Sequence, residues 1–185
     1  MATVRDGRQS VLVVVDVQVG VMAEAWDAPR IVHNVASAVE SARATGVPVI
    51  WVQHGDDELE NGSDAWQLVP ELKPAPGEPI IHKSNQCSFE ATDLEAELAK
   101  VGATRVVLCG AATNWCIRAT AYGALDRGYD LTLLSNAHST GDMPLDDGDV
   151  IQAKHIVKEL NAVMTWIQYP GRTSSTAGVK EVDWT

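Results

Sequence analysis

An α/β architecture is what the sequence predicts: a mostly parallel sheet with helices on both faces. Two patterns carry this. Apolar, β-branched runs alternate along the chain with segments whose apolar residues recur at helical spacing, and those runs are too apolar for either strand face to meet water. With 185 residues the chain is long enough for one sizeable core and short for two ordinary domains, so one domain is expected over residues 1–185, with a C-terminal tail from about 170.

The elements follow in order. "VLVVVDV" (11–17) is a buried strand by its valines, and "RIVHNVASAVESARATG" (30–46) is a helix closed by a glycine. "VPVIWVQH" (47–54) and the shorter "EPIIHKS" (78–84) read as strands, and "TDLEAELAKVG" (92–102) as a helix with Thr92 or Asp93 as its cap. The alternation then continues: strand "TRVVLCG", helix "NWCIRATAYGALDRG" with Thr113 and Asn114 as candidate caps, strand "YDLTLLS", helix "DDGDVIQAKHIVKEL" and a last strand "NAVMTWIQY" (161–169). The 55–77 stretch, rich in Gly, Pro, Asp and Glu, and the mostly polar tail from Pro170 are irregular.

Composition narrows the partners. A formal net charge of −11 with no basic run to offset it repels phosphate backbones and anionic lipid surfaces, so neither nucleic acid nor membrane is expected as a partner. "MATVRDGRQS" lacks the apolar region of a signal peptide and no run approaches a membrane span, which points to the cytoplasm. Three cysteines without a CxxC pair make no disulfide framework and leave thiols free for chemistry.

In open parallel sheets ligands bind beyond the carboxyl ends of the strands. Asp16 at the end of the first strand, Lys83 at the end of the third and Cys116 after the fourth all fall on that edge. A buried Asp and a buried Lys each supply the countercharge the other needs, and a thiol near a cation and a helix start loses its proton more easily. The plainer alternative is a structural ion pair beside an inert thiol.

The segments "VVVDVQ" (13–18), "HKSNQCSFEATDL" (82–94) and "CGAATNWCIRATAYGALDRGY" (109–129), in this order, resemble the signatures of the isochorismatase-like cysteine hydrolases, which include nicotinamidases and N-carbamoylsarcosine amidase. The resemblance implies a three-layer, Rossmann-like fold whose six-stranded sheet has the order 3-2-1-4-5-6. It implies Cys116 as nucleophile, Asp16 as the base that takes its proton, and Lys83 as the cation that holds Asp16 ionised and favours the thiolate. It further implies a cis peptide between Ala111 and Ala112, and backbone N–H groups of Ala112 and Cys116 as donors to an oxyanion. Oligomers, dimers or larger, are common in the family, and the tail with Val182 and Trp184 is expected on a neighbouring subunit or on its own sheet flank.

Other residues are read more loosely. Gln18 is a candidate pocket amide or a structural group, and Trp26, Phe89, Ala111 and Trp115 are candidate pocket walls, with plain core the alternative for the aromatics. Cys87 falls in the loop near Lys83, Cys109 in a strand core, and His33, His82, His138 and His155 lack ligand spacing. Asn136 stands where the family commonly has Asp, which leaves its hydrogen bonding open. Nicotinamidases carry a D-x-H motif after the second strand and a further His nearby, whereas here "VQHGDDELENG" offers His54 followed by the carboxylates of Asp56 and Asp57; weak metal binding by His54 with Asp56 or Asp57 is the alternative to solvated loop charges, and no functional metal and no other cofactor is expected. A nucleophilic thiol suits acyl transfer from nitrogen. The expected reaction is therefore hydrolysis of a non-peptide C–N bond in a small-molecule amide, carbamoyl or ureido compound or lactam, through a thioester. The alternatives are a vinyl ether hydrolase of the isochorismatase type and a binding module with a relic triad.

Overall fold

In the computed structural model, which describes residues 2–184, a six-stranded sheet runs through the chain. Its strands are β1 (Gln9–Val15), β2 (Val49–His54), β3 (Ile80–Lys83), β4 (Ala103–Ala111), β5 (Asp130–Ser139) and β8 (Ser174–Ala177), in the order β3-β2-β1-β4-β5-β8. Every pairing in it is parallel. A two-stranded antiparallel hairpin, β6 (Met143–Pro144) with β7 (Val150–Ile151), stands apart.

The strand alternation sorts the core into two layers. Val11, Val13 and Val15 face one side, with Leu98 of α3 (Leu94–Lys100), Ala121 and Leu125 of α4 (Arg118–Asp126), and Leu160 and Met164 of α5 (Ala153–Trp166). Leu12 and Val14 face the other, against Ile31, Val35 and Val39 of α2 (Ala28–Ala44). A short helix, α1 (Val19–Ala23), precedes α2. Each fully buried Val, Leu, Ile or Met side chain among these stabilises the fold by roughly 1.5–3 kcal/mol before its ordering cost. This is why β1 and β4, buried along nearly their whole length, are the two innermost strands.

The C-terminal part departs from the reading of the sequence: the segment read as helix from Asp146 becomes helical only at Ala153, with Val150–Ile151 pairing as β7 instead. Residues 161–169 do not form the last strand: α5 continues to Trp166, its buried Ala153, Ile156, Val157, Leu160 and Met164 keeping one helical stripe, and Trp166 stays exposed. Asn161, which looks like a helix breaker, is retained mid-helix because its amide donates to the Ser135 carbonyl at 2.9 Å and its oxygen meets His138 Nε2 at 3.0 Å. The sixth strand is instead β8, inside the tail, pairing with β5. Beyond it Val179 is buried, and Val182 and Trp184 pack against the α2-side core. Of the two expected placements, the tail takes its own sheet flank. Asn136 helps to fix it there, accepting from the Val179 N–H at 3.0 Å.

Candidate active site

The site begins where β1 and β4 end side by side. Val15 is paired with Gly110, and a Cβ at Gly110 would lie 1.9 Å from the Val15 carbonyl oxygen, so only glycine at φ +125° permits this approach. Immediately beyond, Asp16 adopts φ 52°, a left-handed conformation that Asp tolerates better than most residues but at some cost. Its N–H is tied to the Val52 carbonyl at 2.9 Å. After Gly110 the chain turns through a cis peptide between Ala111 and Ala112, as expected, and enters a π-helical turn, Thr113–Ile117, that runs into α4. Cys116 sits inside that turn.

These turns bring the three predicted groups together. Lys83 Nζ lies 2.7 Å from Asp16 Oδ2 and 3.2 Å from Cys116 Sγ, with the Asp16 and Lys83 side chains 1% and 0% exposed. A fourth group, not singled out from the sequence as part of this cluster, completes it: His54 Nδ1 is 3.3 Å from the same Nζ, and its Nε2 is 2.8 Å from Asp56 Oδ2. The register that pairs His54 with Lys83 across β2 and β3 could not be read from separate runs of sequence.

The electrostatics differ in one respect from the expectation. Burial raises the Asp16 pKa, and Lys83 and Cys116 only partly reverse it. Burial, then the Asp16 charge, pushes the Cys116 thiol up to about 12, although Lys83 pulls the other way. The resting group is therefore a thiol, because Lys83 is already paired with a carboxylate and the dehydrated pocket resists a second anion.

The remaining candidates scatter. Gln18 is fully buried and spends its amide on backbone, donating to the His54 and Trp66 carbonyls at 2.9 and 2.8 Å and accepting from the His54 N–H at 2.9 Å. It is structural rather than a pocket amide. Phe89 is core: it is buried, lies beneath the Arg127 guanidinium and tilts against Tyr129. Ala111 is buried at the end of β4, whereas Trp26 and Trp115 are 39% and 56% exposed. Neither Thr113 nor Asn114 caps a helix. Thr113 Oγ1 meets His138 Nδ1 at 2.9 Å, and Asn114 Oδ1 accepts from Thr140 Oγ1 at 2.6 Å. Of the two residues proposed to cap α3, Thr92 accepts from the Leu94 N–H at 3.3 Å and Asp93 makes no side-chain cap. Cys87 packs at Gly123 of α4, while Cys109 is core with a thiol pKa raised by burial.

Asp16, His54 and Cys116 offer oxygen, nitrogen and sulfur atoms within 4.8 Å of one another, close enough to share a metal ion. The donors do not fit one as they stand, because the Lys83 ammonium is already in contact with all three groups. A divalent cation there would have to displace it.

Fold and site together define a class: a doubly wound α/β protein with a carboxylate, an ammonium and a thiol in mutual contact at the carboxyl edge of its sheet. The family model described as the isochorismatase domain matches residues 10–168. The chain belongs to the isochorismatase family. It is 33% identical over 146 residues to a streptothricin hydrolase of Streptomyces noursei, covering 74% of this chain and 57% of that protein. It is also 29% identical over 144 residues to the ureidoacrylate amidohydrolase RutB of Methylobacterium radiotolerans, covering 60% and 56%. The chain thus spans little more than half the length of these relatives. Among solved structures, an isochorismatase from Pseudomonas putida KT2440 superposes with a TM-score of 0.82 at 27% identity over 95% of this chain and 92% of that one.

Proposed function

We propose that the protein is a cysteine hydrolase that cleaves a non-peptide C–N bond of a small molecule, an amide, a carbamoyl or ureido group or a lactam, through a thioester. The observation that carries this is the single ammonium of Lys83 in contact with both the Asp16 carboxylate and the Cys116 sulfur. The names of the streptothricin hydrolase and ureidoacrylate amidohydrolase relatives favour the same chemistry.

In this reading the Cys116 thiol gives its proton to Asp16 as the sulfur attacks the carbonyl carbon. The raised pKa of Asp16 makes it a competent acceptor, and Lys83 then stabilises the thiolate once Asp16 is neutral. The backbone N–H groups of Ala112 and Cys116 receive the oxyanion of the tetrahedral adduct. Collapse breaks the C–N bond, and Asp16 returns the proton to the departing nitrogen, leaving the acyl group on sulfur. Water, deprotonated by Asp16, attacks the thioester; the acid leaves and sulfur recovers the proton.

Trp26 and Trp115 are the pocket walls this reading retains. No described helix is long and apolar enough to cross a membrane. A cytoplasmic setting suits three unpaired cysteines, and exposed Trp115, Leu145 and Val150 favour an oligomer. The test is a screen of primary amides, carbamoyl and ureido compounds and lactams by ammonia release and mass spectrometry, with Cys116→Ala as control. An acyl adduct on Cys116 that the Ala variant lacks supports the proposal, and equal turnover by the variant refutes it.

A further inference from the structure

An ammonium has three N–H donors, and the proposed reaction assigns acceptors to only two of those on Lys83. The third also has an acceptor. His54 Nδ1 lies 3.3 Å from Lys83 Nζ, at the end of β2 directly across from Lys83 on β3.

We propose that His54 is a positioning residue for this reaction: as a neutral ring with its proton on Nε2, it holds the Lys83 ammonium between Asp16 and Cys116, and Asp56 fixes it in that tautomer. The inference rests on the cysteine-hydrolase reading above and extends it to a fourth and a fifth side chain.

The tautomer follows from the contacts. Lys83 can only donate, so Nδ1 must be the acceptor, and the ring proton must then sit on Nε2, which is 2.8 Å from Asp56 Oδ2. Asp56 is itself held. Its Oδ1 accepts from the backbone N–H groups of Glu58 and Leu59 at 2.9 and 2.8 Å, and together with His54 these bonds keep the carboxylate ionised. The backbone of His54 is clamped on both sides by the Gln18 amide, so Gln18 acts on the site by placing His54. The next residue, Gly55, donates to the Lys83 carbonyl at 2.9 Å, and a Cβ there would lie 1.9 Å from Asn61 Oδ1. The start of the acidic loop is thus pinned at Gly55, between Lys83 and Asn61.

The consequence is geometric. When the proton moves from sulfur to Asp16, the ion pair that fixed Lys83 is lost, and the ammonium must stay within reach of the new thiolate. A neutral third acceptor keeps it there without adding charge, and a displacement near 1 Å in such a group costs roughly 100-fold in rate.

The test compares His54→Leu, His54→Asn and Asp56→Asn in the full chain, each checked for folding by circular dichroism. Two readouts are taken: kcat and KM on a substrate from the screen, and the alkylation rate of Cys116 by iodoacetamide, resolved from Cys87 and Cys109 by peptide mapping. His54→Leu is expected to lower both kcat and Cys116 alkylation about 10-fold or more with KM within about two-fold, and His54→Asn, whose amide oxygen can take the place of Nδ1, to recover most of the loss. Asp56→Asn should fall between wild type and His54→Leu. Wild-type alkylation in folded His54→Leu overturns the proposal; should that variant not fold, wild-type alkylation in Asp56→Asn does so. Alkylation needs no substrate, so the two readings fail separately. A reactive Cys116 that depends on His54 in a protein that hydrolyses none of the screened compounds would sink the function and leave the positioning role intact.

Discussion

Lys83 Nζ and Asp16 Oδ2 are 2.7 Å apart, their side chains buried to 0% and 1% exposure. Two charges so deeply buried persist only because each compensates the other, and desolvation still raises the Asp16 pKa. Burial thus makes the Asp16 carboxylate a readier proton acceptor than an exposed one, with Lys83 opposing the change.

Removing the cation should tip that balance. In Lys83→Met the carboxylate loses its countercharge and takes up a proton, which relieves the buried charge and lets the fold survive. Protonated Asp16 cannot accept from Cys116, so kcat should fall by about 100-fold or more, the usual scale for loss of a general base. Steady-state kinetics on a variant with native circular dichroism checks this. Wild-type kcat would contradict the role given to Lys83, and loss of the fold would favour a purely structural pair.

A second prediction concerns acid stability and lies outside the triad. His138 is fully buried against the π-helical turn that carries Cys116, donating from Nε2 to Asn161 Oδ1 and accepting at Nδ1 from Thr113 Oγ1. Burial lowers its pKa from 6.5 to about 4, partly offset by Asn161. Because the folded pKa is depressed, its contribution is fully present above pH 6.5 and is lost as pH falls toward about 4, while the unfolded chain takes up the proton. The loss is of the order of 3 kcal/mol at about 1.4 kcal/mol per pH unit. Urea unfolding at pH 7 and pH 4.5 should show it. In His138→Gln, which cannot titrate, the acid-induced drop should shrink by most of that amount, whatever the variant's stability at pH 7.

Most of the sheet was legible because β1, β2 and β4 announce themselves as valine-rich runs that could only be interior, and Asp16 and Cys116 follow two of these runs while Lys83 ends the shorter β3. The sixth strand was not legible. "SSTA" carries no apolar signal, since an edge strand can be held by pairing with β5 alone, while the β-branched and aromatic "AVMTWI" that looked like a strand is the end of α5. The role of His54, at the end of the second expected strand, was not legible for the same kind of reason: it depends on register with Lys83 and on the Gln18 clamp, both long-range. The protonation of Cys116 also escaped, because helix position and a nearby cation are visible in sequence but dehydration is not.

The tail supplies a third prediction. Residues from 170 onward contribute β8 on the sheet edge and Val179, Val182 and Trp184 on the α2-side core, so they belong to the folding unit. A chain truncated after Tyr169 should exposes the β5 edge and lose several buried side chains. At about 2–4 °C per kcal/mol for a domain of this size, a loss of roughly 3–5 kcal/mol lowers Tm by about 10 °C or more. A thermal melt that matches the full chain would show the tail to be a dispensable appendage.

The last prediction is that catalysis needs no divalent metal. The three groups that could share one, Asp16, His54 and Cys116, converge on the Lys83 ammonium, and the outer nitrogen of His54 is paired with Asp56. Zinc sites assemble three or four ligand atoms around an accessible centre, and a cation inserted here would face a fixed positive charge at contact distance. The proposed chemistry asks nothing of a metal either, since a thiol, a base and backbone donors cover attack and oxyanion stabilisation. Dialysis against a strong chelator should therefore leave kcat/KM within about two-fold, well short of the ten-fold that 1.4 kcal/mol of lost transition-state binding would give. Added zinc should inhibit if it acts at all, by displacing Lys83 and capturing the Cys116 sulfur as thiolate. Activity that disappears with the chelator and returns with zinc, manganese or iron would mean that Lys83 leaves the cluster during turnover and that His54 serves as a metal ligand.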